Sequence, residues 1–147
     1  MKGERIPDED HIARYCPFNK LSDDRKPQAT AFMLRPPRPD RPDDKSLSVN
    51  WLEFLNCPNR DSEITEIRSI YSSTFRRVGS KAKIAVLNVG EVCTKVLKES
   101  PDNRNLEVLH DPQENDQSHS GIYNLRQNDE AIAELIRKTV LETCSAR

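Results

Sequence analysis

Apolar positions in this chain fall into short periodic runs from Leu47 onward, and each run predicts an element. In DSEITEIRSIYSSTFRR (61–77), Ile64, Ile67, Ile70 and Tyr71 recur at helical spacing, so the stretch predicts an amphipathic helix. Asp61 or Ser62 caps its start, Arg76 and Arg77 suit the negative end of its dipole, and Gly79 lies just beyond. NDEAIAELIRKTVLETC (128–144) predicts another, capped by Asn128, with Ile132, Leu135, Ile136 and Val140 on one face. KIAVLNV (83–89) is apolar almost throughout, the pattern of a strand buried on both faces. Gly90 turns it into the helix EVCTKVLKES, with a Glu91–Lys95 pair along its surface and Pro101 closing it. NLEVLH (105–110) then returns as a strand. Strand, helix and strand in that order predict a βαβ crossover over 83–110, with its two strands paired in parallel.

The first 45 residues are poorer in apolar positions and hold seven of the ten prolines. PDEDHIARYC (7–16) predicts a short helix, because acidic residues crowd its start. ATAFMLR (29–35) predicts a strand. RPPRPDRPDDK (35–45) predicts an extended, exposed loop, since proline neither continues a helix nor donates to a sheet. LSVN (47–50) alternates as a strand should, and Asn50 with Glu53 forms a capping-box pattern that starts a helical turn at WLEFL. The sum is a single α/β domain over 1–147: a mixed sheet of about four strands, the βαβ crossover, and helices packed against it.

Composition adjusts this picture in four ways. Apolar residues make up 35% and charged residues 32%, so the core is small relative to the surface. Net charge is −1, which removes any bulk field for steering a polyanion. No run approaches a membrane span, and MKGERIPDED lacks the apolar stretch of a secretory signal, so the expectation is a cytoplasmic chain without a membrane partner. Cys16, Cys57, Cys93 and Cys144 are widely separated and read as free thiols; Cys93, among apolar helix positions, reads as packing.

Candidate chemistry gathers at the predicted strand ends. In a parallel α/β sheet ligands bind beyond the carboxyl ends of the strands, which here are Asn50, Asn88–Gly90 and His110. That edge carries two amides, a glycine turn at a helix N-terminus suited to an anion, and an imidazole. His110, His119 and His11 are the candidate catalytic bases, with Asp111 or Glu91 to orient an imidazole. Asn50, Asn88, Gly90 and Arg14 are the candidate ligand-binding residues. The plainer reading of HDPQENDQSHSG is a solvated loop, and asparagines at strand ends are most often caps. Zinc held by His110, His119 and His11 or Cys16 ranks lower, because the spacing fits no standard structural site; no metal or cofactor is expected. No P-loop, nucleophile elbow, H-E-x-x-H or dinucleotide fingerprint is present.

HIARYC, then AFMLR, then LSVNWLEFL resembles a pattern of small uncharacterised bacterial proteins, over roughly the first 55 residues. The resemblance implies that His11, Arg14, Tyr15, Asn50 and Glu53 act together, and that RPPRPDRPDDK lengthens a loop between strands. It carries no activity and no catalytic residue.

Three functions follow as expectations. The leading one is a small accessory protein acting through a protein partner, motivated by the missing catalytic set and the Pro-rich arm. The rival is a histidine-dependent hydrolase or transferase acting on a phosphate-bearing or nucleotide-like substrate. The third is nucleic-acid binding through Arg76, Arg77, Lys81 and Lys83, whose plainer reading is a basic turn after a helix.

Overall fold

The computed structural model describes residues 2–147. Its strands are β1 (His11–Cys16), β2 (Ser46–Trp51), β3 (Lys83–Asn88), β4 (Glu107–His110), β5 (His119–Tyr123) and β6 (Glu142–Ser145). Its helices are α1 (Arg60–Thr74), α2 (Val89–Glu99) and α3 (Glu130–Arg137), with 3-10 turns at Phe18–Lys20, Ala29–Phe32 and Glu53–Leu55. The strands form one sheet in the order β4-β5-β2-β1-β3-β6, and every neighbouring pair is antiparallel.

The class is α/β as expected, but the sheet has six strands rather than about four. The βαβ crossover is corrected as well. β3 and β4 point the same way, but β5, β2 and β1 lie between them, so the two never pair. The reason is β1. HIARYC is a central strand, not part of a helix, and all six of its residues pair with β3. Ile12, Ala13 and Cys16 are buried, so the strand packs on both faces. The acidic PDED that reads as a helix start is instead a single turn in a strap, with Asp10 N–H donating to the Pro7 carbonyl. Its backbone carbonyls at Asp8 and Asp10 accept hydrogen bonds from Gly90 and Val89 at the start of α2.

Two further boundaries move. ATAFMLR holds a 3-10 turn over Ala29–Phe32 rather than a strand: Ala31 N–H donates to Gln28, and Phe32 is buried against the helical layer. The expected helix 128–144 ends at Arg137, because the Thr139 hydroxyl and N–H both donate to the Ile136 carbonyl. Leu141 N–H then donates to Val86, which hands the chain to β6. The N-cap of α3 is Asp129, not Asn128, which takes a left-handed φ of 60°. On α2 the ion pair is Lys95–Glu99 rather than Glu91–Lys95.

One sheet face packs Ile12, Val49, Leu87, Val108 and Ile122 against α2, α3 and Phe32. On the other, α1 lays Ile64, Ile67 and Tyr71 over Ala13, Ile84 and Val86. β2, β4 and β5 contribute nothing to that second core. Half of this face is therefore left to polar residues, and the site forms at its border with α1.

α1 is capped by Asn59, one position before the helix, rather than by Asp61 or Ser62. Its side-chain oxygen accepts from Ser62 N–H at 2.8 Å and from the Ser62 hydroxyl at 2.9 Å. Asn59→Ala is expected to cost about 1 kcal/mol by chemical denaturation, and Asn59→Asp much less. Equal losses from both variants would show that the cap bond contributes nothing.

Candidate functional site

The site begins where a ladder stops. β1 and β2 pair only at Ile12–Trp51 and Ala13–Asn50, although β1 continues along β3 and β2 continues along β5. The strands splay, and the Arg14 guanidinium fills the gap. Its Nε donates to the Ala31 carbonyl at 2.8 Å and its Nη1 to the Ser48 carbonyl at 2.9 Å. Among the described residues no carboxylate lies within ion-pair distance of it. Burial disfavours its charge and lowers its pKa from the ordinary value.

Arg14 opens onto a pocket of about 260 Å³, walled by α1, β1, β2, β5 and the loop between β4 and β5. One wall is aromatic. Tyr71 and Phe75 stack with ring centres 4.8 Å apart and planes 10° apart, and Tyr15 meets both edge-on, at 5.3 and 4.9 Å. The Tyr15 hydroxyl accepts from Gly79 N–H at 3.2 Å, which ties the turn after α1 to this wall. Tyr71 is buried, and desolvation pushes its phenol pKa up, so it stays neutral.

The opposite wall is polar. Asp116 is buried, and Asn50 Nδ2 donates to both of its carboxylate oxygens at 2.9 Å. Ser118 adds a hydroxyl donor at 3.0 Å. Asn50 is therefore not the capping residue its spacing with Glu53 predicts. Its amide holds a carboxylate at the pocket.

His119 completes the site. Its Nδ1 lies 2.9 Å from the Asp111 carbonyl, an acceptor only, so Nδ1 carries the proton. The Asp111 carboxylate is 3.6 Å from the same nitrogen. Nε2 then accepts from the Ser48 hydroxyl at 3.2 Å. The fixed tautomer follows from where β5 starts: His119 pairs with Asn50, and Asp111 N–H donates back to the His119 carbonyl.

The structure thus brings together Arg14, Asn50 and His119 and separates them from the other candidates. His110 lies on the opposite face, buried, with Nε2 donating to the Gln117 carbonyl at 2.7 Å. Trp51 and Phe54 enclose its ring, and the Asn88–Gly90 turn is beyond three strands. Its expected place beside that turn is corrected, because β4 does not pair with β3. His11 bonds Glu53 twice, by Nδ1 and by its backbone N–H, each at 2.7 Å. Glu53 is spent there rather than in a capping box. Asn88 caps α2 through Glu91 N–H at 2.9 Å and donates to Asp8 and Asp10. Gly90 N–H donates to Asp8, and a side chain at 90 would meet that residue at 3.0 Å. Of the amides expected to bind an anion there, Gly90 N–H is taken by the strap and Glu91 N–H by the Asn88 side chain.

Arg76, Arg77 and Lys81 are exposed, and Lys81 Nζ sits 5.2 Å from the Phe18 ring centre. All four cysteines are free thiols; burial raises the pKa of Cys16 to about 11, which keeps it protonated and unreactive at neutral pH. Among the described residues, no group of three His, Cys, Asp or Glu is placed to hold a metal, and no helix is long and apolar enough to cross a membrane.

Ser48, Asp116, Tyr71 and Phe75 were not among the sequence candidates. Ser48 and Asn50 had a readable signal: they form the polar side of an otherwise apolar strand. Asp116 had none, being one acid among several in a turn-rich loop. No family model matches the chain, and neither the curated proteins nor the solved structures contain a significant match.

Proposed function

We propose that the protein binds a small molecule carrying a carboxylate and a planar ring, through the pocket between α1 and β5. The observation that carries this reading is Arg14, a partly buried guanidinium that lines the cavity, donates to two backbone carbonyls, and has no carboxylate within ion-pair distance among the described residues, the Asp116 carboxylate of the opposite wall being held by Asn50 and Ser118. A buried cation in that state is complementary to an anion, and a guanidinium binds a carboxylate through two parallel donors. The Tyr15–Tyr71–Phe75 wall suits a flat apolar group. The volume is below the usual range for drug-sized ligands, which favours a compact one.

The interaction-protein reading has no comparable observation. The exposed large apolar residues Phe18, Phe54, Phe75, Leu97 and Leu141 belong to five different segments.

Titration of the labelled protein with benzoate, followed by amide NMR shifts, tests the proposal. Benzoate is expected to move Tyr15, Ser48, Asn50, Phe75 and His119 at millimolar concentration, and acetate to move them less. Shifts scattered over the surface, or none, would sink it.

A further inference from the structure

We propose that this pocket is catalytic, with Ser48 as the nucleophile of a carboxylic-ester hydrolase. The inference rests on the binding reading above and adds a reaction to it. Nucleophilic catalysis needs a hydroxyl within hydrogen-bond reach of a base, and a third group that fixes the base's tautomer. Here the hydroxyl is Ser48, 3.2 Å from His119 Nε2. The Asp111 carbonyl, 2.9 Å from Nδ1, fixes the tautomer, with the Asp111 carboxylate at 3.6 Å behind it. Ser48 is exposed at the pocket mouth, so a substrate can reach it.

Arg14 supplies the charge that such a reaction requires. A guanidinium has five N–H donors. Two are spent on Ala31 and on the carbonyl of Ser48 itself, which leaves the others for a developing oxyanion next to the nucleophile. Ser48 Oγ attacks the ester carbonyl carbon, and its proton passes to His119 Nε2. The carbonyl π pair moves onto oxygen, where Arg14 holds it. When the carbonyl reforms, the bond to the alcohol oxygen breaks, and the alcohol leaves with the proton from His119. Water then attacks the acyl-Ser48 ester and His119 takes one of its protons; Ser48 Oγ recovers that proton as the carboxylic acid departs, and the acid gives its remaining proton to solvent to become the carboxylate. The products are an alcohol and a carboxylate, and that carboxylate is the anion the pocket binds in the reading above.

The test incubates the full chain with a fluorophosphonate probe, maps any adduct by mass spectrometry, and measures hydrolysis of p-nitrophenyl benzoate. The adduct is expected on Ser48. Ser48→Ala and His119→Gln are each expected to lower the ester rate by at least about 100-fold, with thermal melts confirming that the variants fold. An adduct on Ser48 and a rate lost in both variants support the proposal. A wild-type protein that binds benzoate but forms no adduct on Ser48 overturns the catalysis and leaves the binding reading intact. An adduct on Ser48 without benzoate binding supports the nucleophile and overturns the ligand class. If neither appears, both ideas fail.

Discussion

Phe32→Ala is expected to lower the unfolding free energy by about 3–5 kcal/mol, the range for deleting a fully buried aromatic side chain. Phe32 is 1% exposed and belongs to the core beneath α3, although it sits in a 3-10 turn within the Pro-rich first third of the chain. The loss combines the apolar surface returned to water with the cavity left behind. That cavity is hard to close, because the turn is backed by Arg14, whose Nε bonds the neighbouring Ala31 carbonyl. Urea denaturation should show a lower midpoint with an unchanged slope. Phe18→Ala is the control, since Phe18 is 53% exposed and its removal should cost far less. Comparable losses from the two variants would mean that the 29–32 turn does not close the core.

Arg14→Gln is expected to weaken benzoate binding by about 100-fold, equivalent to about 2.8 kcal/mol at 1.4 kcal/mol per tenfold. Glutamine keeps a donor amide but loses the charge and the paired donor geometry. Arg14→Lys keeps the charge as a single point and should fall between. The substitution also removes the donors to Ala31 and Ser48, so a stability loss of about 1–3 kcal/mol should accompany it. Binding is therefore compared at a temperature where both variants remain folded. Undiminished benzoate affinity in folded Arg14→Gln would exclude Arg14 as the anion anchor.

What could be read from the residues divides along the range of the interaction. α1, α2, β2 and β3 are written in local periodicity, and all four stand within a few residues of their expected bounds. β1 is masked in the sequence because PDED has the charge of a helix start, whereas here Asp8 and Asp10 supply backbone carbonyls to another helix's N-terminus. His110 as a site residue depends on a parallel pairing of β3 and β4, which the sheet does not have. β2, β3 and β4 do end on one edge of the sheet, but β5 and β1 lie between them and His110 faces away from Asn50, so Asn50, Asn88 and His110 do not converge. The pocket itself joins residues more than a hundred positions apart, from Arg14 to His119. No window of sequence contains that adjacency. Only the order of the strands creates it.

The opening strap has a consequence for assembly. Gly3 and Ile6 donate to His110 and Val108, and His110 N–H donates to Glu4, so the outer border of β4 is occupied by the chain's own irregular backbone, ending at Pro7. The other border, β6, is four residues long and pairs only with β3. A sheet with a single open margin can recruit one further strand or one further copy of itself, and the resulting pair presents blocked margins at both ends. Strand addition in this fold is self-limiting: it can give a dimer, but it has no way to propagate into a fibre.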